Sequence, residues 1–286
     1  MCGICGELRL DGELASPERV ARMLPALRRR GPDDSGQWQA GPVALGHRRL
    51  KIIDLSDRSH QPMVDAELVL VFNGAIYNYR ELRAQLQQKG HSFVSGGDTE
   101  VILKAYREWG EDCPGHLHGM FAFALWDGAR QRLFCARDRF GIKPFYFAHG
   151  DSAFRFASNT QSLLAGGEVD TGIDPVGLHF QYTLHAVIPA PHTILRGVRK
   201  LEPAHSLVIE ADGAVRQQRY WELDARRGDR VLSEDEWVEA VHDRLLAAVR
   251  KRNDVADVPV GVLLSGGLDS SLLVALLAEI GVEGFH

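Results

Sequence analysis

Short apolar runs recur along the first ~210 residues of this chain, and their period limits what it can fold into. Alternating or briefly continuous apolarity marks strands near residues 4–10, 43–47, 68–72, 121–126, 131–136 and 153–158. Asp127-Gly128 separates two of these runs and reads as a hairpin turn, as does Asp212-Gly213 further on. Only two or three stretches carry helical spacing. Ser16-Pro17 opens the first, with Val20, Met23, Leu24 and Leu27 on its apolar face. Asn78 and Glu81 have capping-box spacing and open the second, which Gly90 ends. Asp98 or Thr99 opens a third that runs to Gly110. Strands joined by hairpins, with few helices and no internal repeat, define an α+β class.

The pattern changes at residues 222–232 (ELDARRGDRVL), a polar stretch with charges of both signs that reads as linker. Ser233 and Glu236 then form a capping box before an amphipathic helix carrying Trp237, Val241, Leu245 and Val249. The chain closes on VPVGVLLSGGLDSSLLVALLAEIG, which reads as a buried strand, a glycine turn and an apolar helix. The expected division is a first domain over 2–215, a linker over 216–232 and the start of a second domain over 233–286.

Composition excludes several classes. Apolar residues make up 45% of the 286 and charged residues 25%, so a packed core is expected and bulk disorder is not. A net charge of −5, mixed in sign, argues against nucleic-acid and membrane partners, and leaves a homodimer compatible. Arg28-Arg29-Arg30 reads as solvated surface at a helix end. No apolar stretch approaches a membrane span. Glu7, Arg9, Asp11 and Glu13 interrupt any signal-peptide core, which places the protein in the cytoplasm. Structural disulfides are then not expected among Cys2, Cys5, Cys113 and Cys135. Cys2 and Cys5 form a C-x-x-C, but Cys113, His116 and His118 do not supply a matching half-site, so no metal is assigned and Cys5 reads as a small core residue.

Met1-Cys2-Gly3 carries chemistry of its own. Cys2 is small enough for Met1 to be removed, which leaves a thiol beside a free α-amine. An α-amine ordinarily titrates at ~7.7–8.0, so near neutrality it can take the thiol proton. Nucleophile and base then sit on one residue.

Downstream segments give that reading weight: HRRLKIID (47–54), HQPM (60–63), FNGAIYNYREL (72–82), GGDTEVIL (96–103), FAFALWD (121–127) and ARDRFGIKPFYF (136–147). In order and spacing they resemble the class II glutamine amidotransferases, the N-terminal nucleophile hydrolases, and most closely those of the asparagine synthetase B type. The resemblance implies an αββα sandwich and Cys2 as nucleophile toward L-glutamine. It implies that Arg49 binds the substrate carboxylate, that Asp98 holds the ammonium, and that Leu50 and Ile52 line the pocket. Asn73 and the Gly74 N–H would form the oxyanion hole. Each has a competing structural reading: Arg49 as a surface ion pair, Asp98 as a helix N-cap, Asn73-Gly74 as a type I′ turn. Ala75 departs from the family pattern, which has an acid there, and Asn159 and Ala204 stand where the family has an acid and a glycine. With the CGICGELR opening, Ala75 also points to the relatives that amidate N-acetylglutaminylglutamine.

Ser265-Gly266-Gly267-Leu268-Asp269-Ser270, between strand and helix signals, gives backbone N–H groups a pyrophosphate to bind, without the lysine of a Walker A loop. It resembles the loop of the ATP-pyrophosphatases. That resemblance implies ATP with Mg²⁺ activating a carboxylate acceptor (aspartate or an acylated dipeptide), with Leu263, Ser265, Gly266, Gly267, Asp269 and Ser270 at the nucleotide. Only the first strand-loop-helix of such an α/β domain is present, so the chain is expected to be a fragment or a truncation. Residues 258–286 are expected to be loosely packed or exposed, with Leu272, Leu273, Leu276 and Leu277 an association liability.

Overall fold

The computed structural model describes residues 1–226 and 231–282, which form two compact units, Met1–Glu222 and Leu223–His286. Part of the 222–232 stretch (227–230) and the last four residues (283–286) lie outside the described residues.

The first unit contains the strands β1 (Gly3–Arg9), β2 (Asp34–Ala40), β3 (Val43–Arg49), β4 (Met63–Asp65), β5 (Leu68–Ile76), β6 (Gly119–Asp127), β7 (Arg132–Arg137), β8 (Tyr146–His149), β9 (Ala153–Ala157), β10 (Arg199–Lys200), β11 (His205–Glu210) and β12 (Val215–Arg219). They build two six-stranded sheets, ordered β10-β8-β9-β1-β3-β2 and β12-β11-β7-β6-β5-β4, with antiparallel pairing throughout. Its helices are α1 (Pro17–Met23), α2 (Tyr79–Gln88), α3 (Asp98–Trp109), α4 (Cys113–His116), α5 (Thr160–Gly166) and α6 (Pro175–Thr183).

Strand alternation sorts the side chains into layers. Ile4 and Leu8 of β1, Val43 and Leu45 of β3, Val69 and Val71 of β5 and Ala122 and Ala124 of β6 share one buried cluster between the sheets. There Phe145 stacks on Phe156 with ring centroids 5.3 Å apart. The opposite face of the first sheet, with Cys5 and Ala44, packs under Val20 and Met23 of α1 and Leu163 of α5. On the outer side of the second sheet, α3 packs on β5. This is the αββα sandwich expected. Buried charge ties the first sheet to its helix layer: Arg155 donates to Glu7 at 2.6 Å, and Arg19 approaches the same carboxylate at 3.1 Å.

Several sequence expectations need correction. Asn78 precedes α2 but does not cap it; its side chain donates to His116 O at 3.0 Å and accepts from His118 N at 2.8 Å. A nonlocal pair of bonds has taken the side chain the helix end would have used. The linker expected to start at 216 starts later, because Val215–Arg219 pairs along β11 and completes the second sheet.

Ala204 adopts φ +60°, the left-handed region that glycine enters without strain. It is held there by Ala204 N on Asp138 O and Tyr220 N on Ala204 O, both 2.9 Å. Asn159 caps α5 through Ser162 N at 2.8 Å, as an acid would, and its amide also donates to Ala26 O at 3.1 Å. Both departures from the family pattern thereby have a structural account.

The second unit has α7 (Glu234–Asn253), opened by the expected Ser233/Glu236 capping box, and α8 (Leu268–Glu279). Val249, Leu276 and Leu277 form its small core. Trp237 and Val241 are exposed, so α7 buries far less of its apolar face than its spacing implied. The buried strand expected over 258–264 is absent: those residues take no regular structure, and Leu263 is 96% exposed. A strand needs a ladder partner for its backbone groups, and no described strand pairs with it. Of the four leucines expected to be exposed, Leu272 and Leu273 are exposed and Leu276 and Leu277 are buried. Among the described residues no helix is long and apolar enough to cross a membrane.

Candidate active site

Cys2 immediately precedes β1, whose Gly3 pairs with Arg48 at the end of β3. That register brings the chain start beside Arg49 and Leu50. Leu50 N donates to Cys2 Sγ at 3.3 Å, and the thiol faces Leu50 O at 3.6 Å. Arg30 Nε donates to Cys2 O at 3.0 Å. Arg30 is therefore half-buried against the candidate nucleophile and is not solvated surface; Arg28 and Arg29 remain exposed. Burial pushes the Cys2 thiol above its ordinary range, with Asp98 adding, against the Leu50 N–H, the leading amine and Arg49. Near neutrality the thiol keeps its proton, so a nucleophilic role requires a base.

Alternation places more groups at this end of the sandwich. Residues 43, 45, 47 and 49 of β3 share the inner face, as do 69, 71, 73 and 75 of β5. Asn73 and Arg49 thus project from opposite sheets into the same layer, with Ala75 two residues beyond Asn73. His47 spans the gap, with Nε2 3.1 Å from Phe72 O. Burial holds its pKa down at about 3, so the ring is neutral.

Asn73 is fully buried, yet neither Nδ2 nor Oδ1 has a hydrogen-bond partner among the described residues. Buried polar groups are nearly always bonded, and an exception asks for a cause such as a ligand. Asn73-Gly74 lies inside β5 opposite Ala122 and Phe121, so the type I′ turn reading falls. Gly74 permits the close approach of β6: a Cβ there would lie 2.2 Å from Met120 O.

Arg49 is buried, not a surface ion pair. Its guanidinium donates to Ser56 O at 2.9 Å and to Asp54 O, fixing the loop that follows β3. That loop is also tied to the segment before α3, since Asp54 Oδ2 accepts from Ser59 Oγ and Gly96 N, each at 2.7 Å.

Asp98 is the first residue of α3, and its side chain reaches across to accept from Ile76 N at 2.9 Å. It is not the N-cap, which is Gly97. Burial raises its pKa to about 7, with backbone N–H groups of Ile76, Asp98 and Thr99 and the charge of Arg49 only partly offsetting this. A carboxylate in that state gains from a cation brought to it. Ile52 is half-buried in the loop after Leu50.

Hydrogen bonds and charge interactions thus join Cys2 to Leu50, Arg49 and Asp98 and to Arg30, which sequence reasoning had assigned to solvent, while strand alternation puts Asn73 on the same inner layer as Arg49. Lys143, in the ARDRFGIKPFYF segment, also approaches the chain start: its Nζ contacts Met1 Sδ.

Residues 1–221 match the family model for the glutamine amidotransferase domain. The chain belongs to that family. Beyond the amidotransferase domain, residues 240–286 match the asparagine synthase model. The protein is similar to asparagine synthetase [glutamine-hydrolyzing] 3 of Bacillus subtilis (strain 168), with 38% identity over 283 residues, 97% of this chain and 45% of the relative. It is also similar to a putative asparagine synthetase 2 of Methanocaldococcus jannaschii, with 37% identity covering 98% of this chain and 57% of the relative. This amidotransferase chain thus spans about half the length of the curated relatives it matches. A glutamine phosphoribosylpyrophosphate amidotransferase structure from B. subtilis superposes with a TM-score of 0.58 at 18% identity, covering 97% of this chain and 64% of that one, which is a likeness of fold.

The glycine loop of the second unit is organised locally. Ser265 Oγ and Ser270 Oγ lie 3.1 Å apart, Gly267 N donates to Ser265 Oγ at 3.4 Å, and Gly266 takes φ +80°. Ser265, Gly266, Gly267 and Asp269 are exposed, and α8 begins behind Gly267 without a side-chain cap.

Proposed function

We propose that this chain hydrolyses glutamine to glutamate and ammonia, with Cys2 as nucleophile once Met1 has been removed. The observation that carries the reading is the fully buried Asn73 amide, without a hydrogen-bond partner at either end among the described residues, on the inner face that Arg49 shares across the sheets. The thiol proton passes to the residue's own α-amine as Sγ attacks the side-chain carbonyl carbon of glutamine. The oxyanion takes hydrogen bonds from Asn73 Nδ2 and Gly74 N–H. The C–N bond breaks, ammonia leaves with the proton held by the amine, and a γ-glutamyl thioester remains on Cys2. Water then attacks the thioester, its proton returns through the amine to sulfur, and glutamate departs.

Arg49 offers its remaining N–H donors to the substrate carboxylate, since two of its five already hold the loop. Asp98 pairs with the ammonium, and Leu50 and Ile52 line the cleft. Ala75, on the same inner face, supplies no second carboxylate, so Asp98 carries the ammonium contact by itself.

In the longer protein the ammonia would amidate a carboxylate activated by ATP. Support comes from the asparagine synthase match over residues 240–286 and from the names of the relatives. The uncapped start of α8 and the left-handed Gly266 suit a pyrophosphate, with Leu263, Ser265, Gly267, Asp269 and Ser270 around it. Mg²⁺ would accompany the phosphates of the nucleotide. Aspartate is the acceptor favoured by those names, and an acylated dipeptide the alternative left by Ala75.

Glutamate release from glutamine without ATP, compared between this chain and Cys2→Ala, tests the reading. We expect turnover in the first and a loss of at least ~1,000-fold in the second. Equal turnover in both would overturn it.

A further inference from the structure

Lys143 is 1% exposed, and among the described residues its ammonium contacts Met1 Sδ and forms no ion pair. A buried, unpaired lysine is costly to fold around, and here its place is fixed by the turn that carries it. Asp138 accepts from the backbone N–H groups of Ile142 and Lys143, each at 2.9 Å, and of Phe140 at 3.1 Å. Arg137 clamps the same turn through Lys143 O at 2.8 Å and Gly141 O at 2.7 Å. The carboxylate nearest in sequence is thus committed to backbone donors, and the lysine is directed at the chain start, where Nζ meets Met1 Sδ. Arg30 reaches the same place from the turn after α1, with Nε on Cys2 O and a buried Nη2 that has no partner among the described residues.

We propose that Lys143 is a positioning residue whose buried ammonium, together with Arg30, keeps the α-amine of processed Cys2 in its free-base form near neutral pH, ready to accept the thiol proton. This rests on Cys2 being the N-terminal nucleophile. Arg30 bonds Cys2 O, and Lys143 touches Met1, the residue that processing removes from in front of Cys2. Asp33 faces the Met1 amine with the opposite sign, while Arg49 and Asp98 act on the Cys2 thiol. Tyr146 faces Arg30, and Asp138 faces Lys143.

The titration directions agree with the geometry. In the chain that still carries Met1, burial lowers the Met1 amine from its ordinary value, with Arg30 and Lys143 adding to this against the Cys2 thiolate and Asp33, and processing moves the free amine one residue along, to Cys2. Burial, with Arg30 adding, brings Lys143 itself to about 8. Lys143 is therefore mostly charged below about pH 8. The free amine is the active form, so activity falls as pH drops through the amine pKa. Removing the lysine charge raises that pKa and moves the acid limb to higher pH.

The test is the pH profile of kcat/KM for glutamate release by the wild-type chain, Lys143→Met and Lys143→Arg, with Lys143→Gln as a second neutral variant. The neutral variants are expected to shift the acid limb up by about one pH unit, a roughly tenfold loss of rate below it, and Lys143→Arg to restore it. In parallel, competitive acetylation of the α-amine against pH, read by mass spectrometry in a Cys2→Ala background, measures the amine pKa without turnover. It should rise by a similar amount when Lys143 is neutralised. An unmoved limb and an unmoved amine pKa in the neutral variants would overturn the proposal. Should the wild-type chain release no glutamate, the nucleophile reading fails, and the acetylation titration still judges whether Lys143 acts on the leading amine.

Discussion

The two units of this chain treat their chemistry-bearing residues differently. In Met1–Glu222 Arg49 and Asn73 stand on strands of the two sheets, Asp98 at the head of α3 is bonded to β5, and all three are buried. In Leu223–His286 the glycine loop and Leu263 are exposed, and among the described residues the capped helix α7, the helix α8 and a small leucine-valine core are formed. Helices close their own backbone bonds, whereas a strand depends on neighbours that a local sequence cannot supply. Preorganisation in the first unit is a consequence of closed sheets.

Backbone hydrogen exchange gives the widest contrast between the units. Amides of β5 and β6 should exchange only through global opening, and those of 258–267 near the unprotected rate, a difference of ~10⁴-fold or more. Comparable protection in both would mean that the 258–264 segment does find a ladder partner in solution.

Asn73→Ala sharpens the claim that the first unit keeps polar atoms in readiness for a substrate. Glutamine turnover should fall by ~100–1,000-fold, the effect of losing one oxyanion donor. The melting temperature should hold or rise, because two unbonded buried atoms disappear. A large loss of stability would make Asn73 a structural residue.

How much of this was legible beforehand follows the same division. Ser16-Pro17, the Ser233/Glu236 box and the Asp127-Gly128 hairpin were readable because each is settled within a few residues. β2 was not: DSGQWQA is largely polar and becomes a strand through its pairing with β3. β12 is exposed along its length and exists through β11. Cys2, Arg49, Asn73 and Asp98 were legible by resemblance to a family, and their convergence needed both sheets. Arg30 was misread because nothing in a run of three arginines distinguishes the one that turns back onto Cys2 O.

A smaller effect probes the electrostatics of the same site. Asp98 titrates at about 7 in the free protein, and the substrate ammonium pairs only with its ionised form. Glutamine affinity should therefore weaken as pH falls below about 7, by up to roughly tenfold per unit, and Asp98→Asn should remove that dependence while weakening binding. Calorimetric titration of Cys2→Ala with glutamine reads both; affinity independent of pH between 5 and 8 would separate Asp98 from the ammonium.

The central claim is that the sulfur of residue 2, next to a free α-amine, carries the acyl group. Its most direct measurement is the intact and peptide mass of the chain quenched in acid during glutamine turnover. The account predicts a chain lacking Met1 with a γ-glutamyl adduct on the peptide that begins at Cys2. Full turnover by a chain that retains Met1, or an adduct on any other residue, would contradict it.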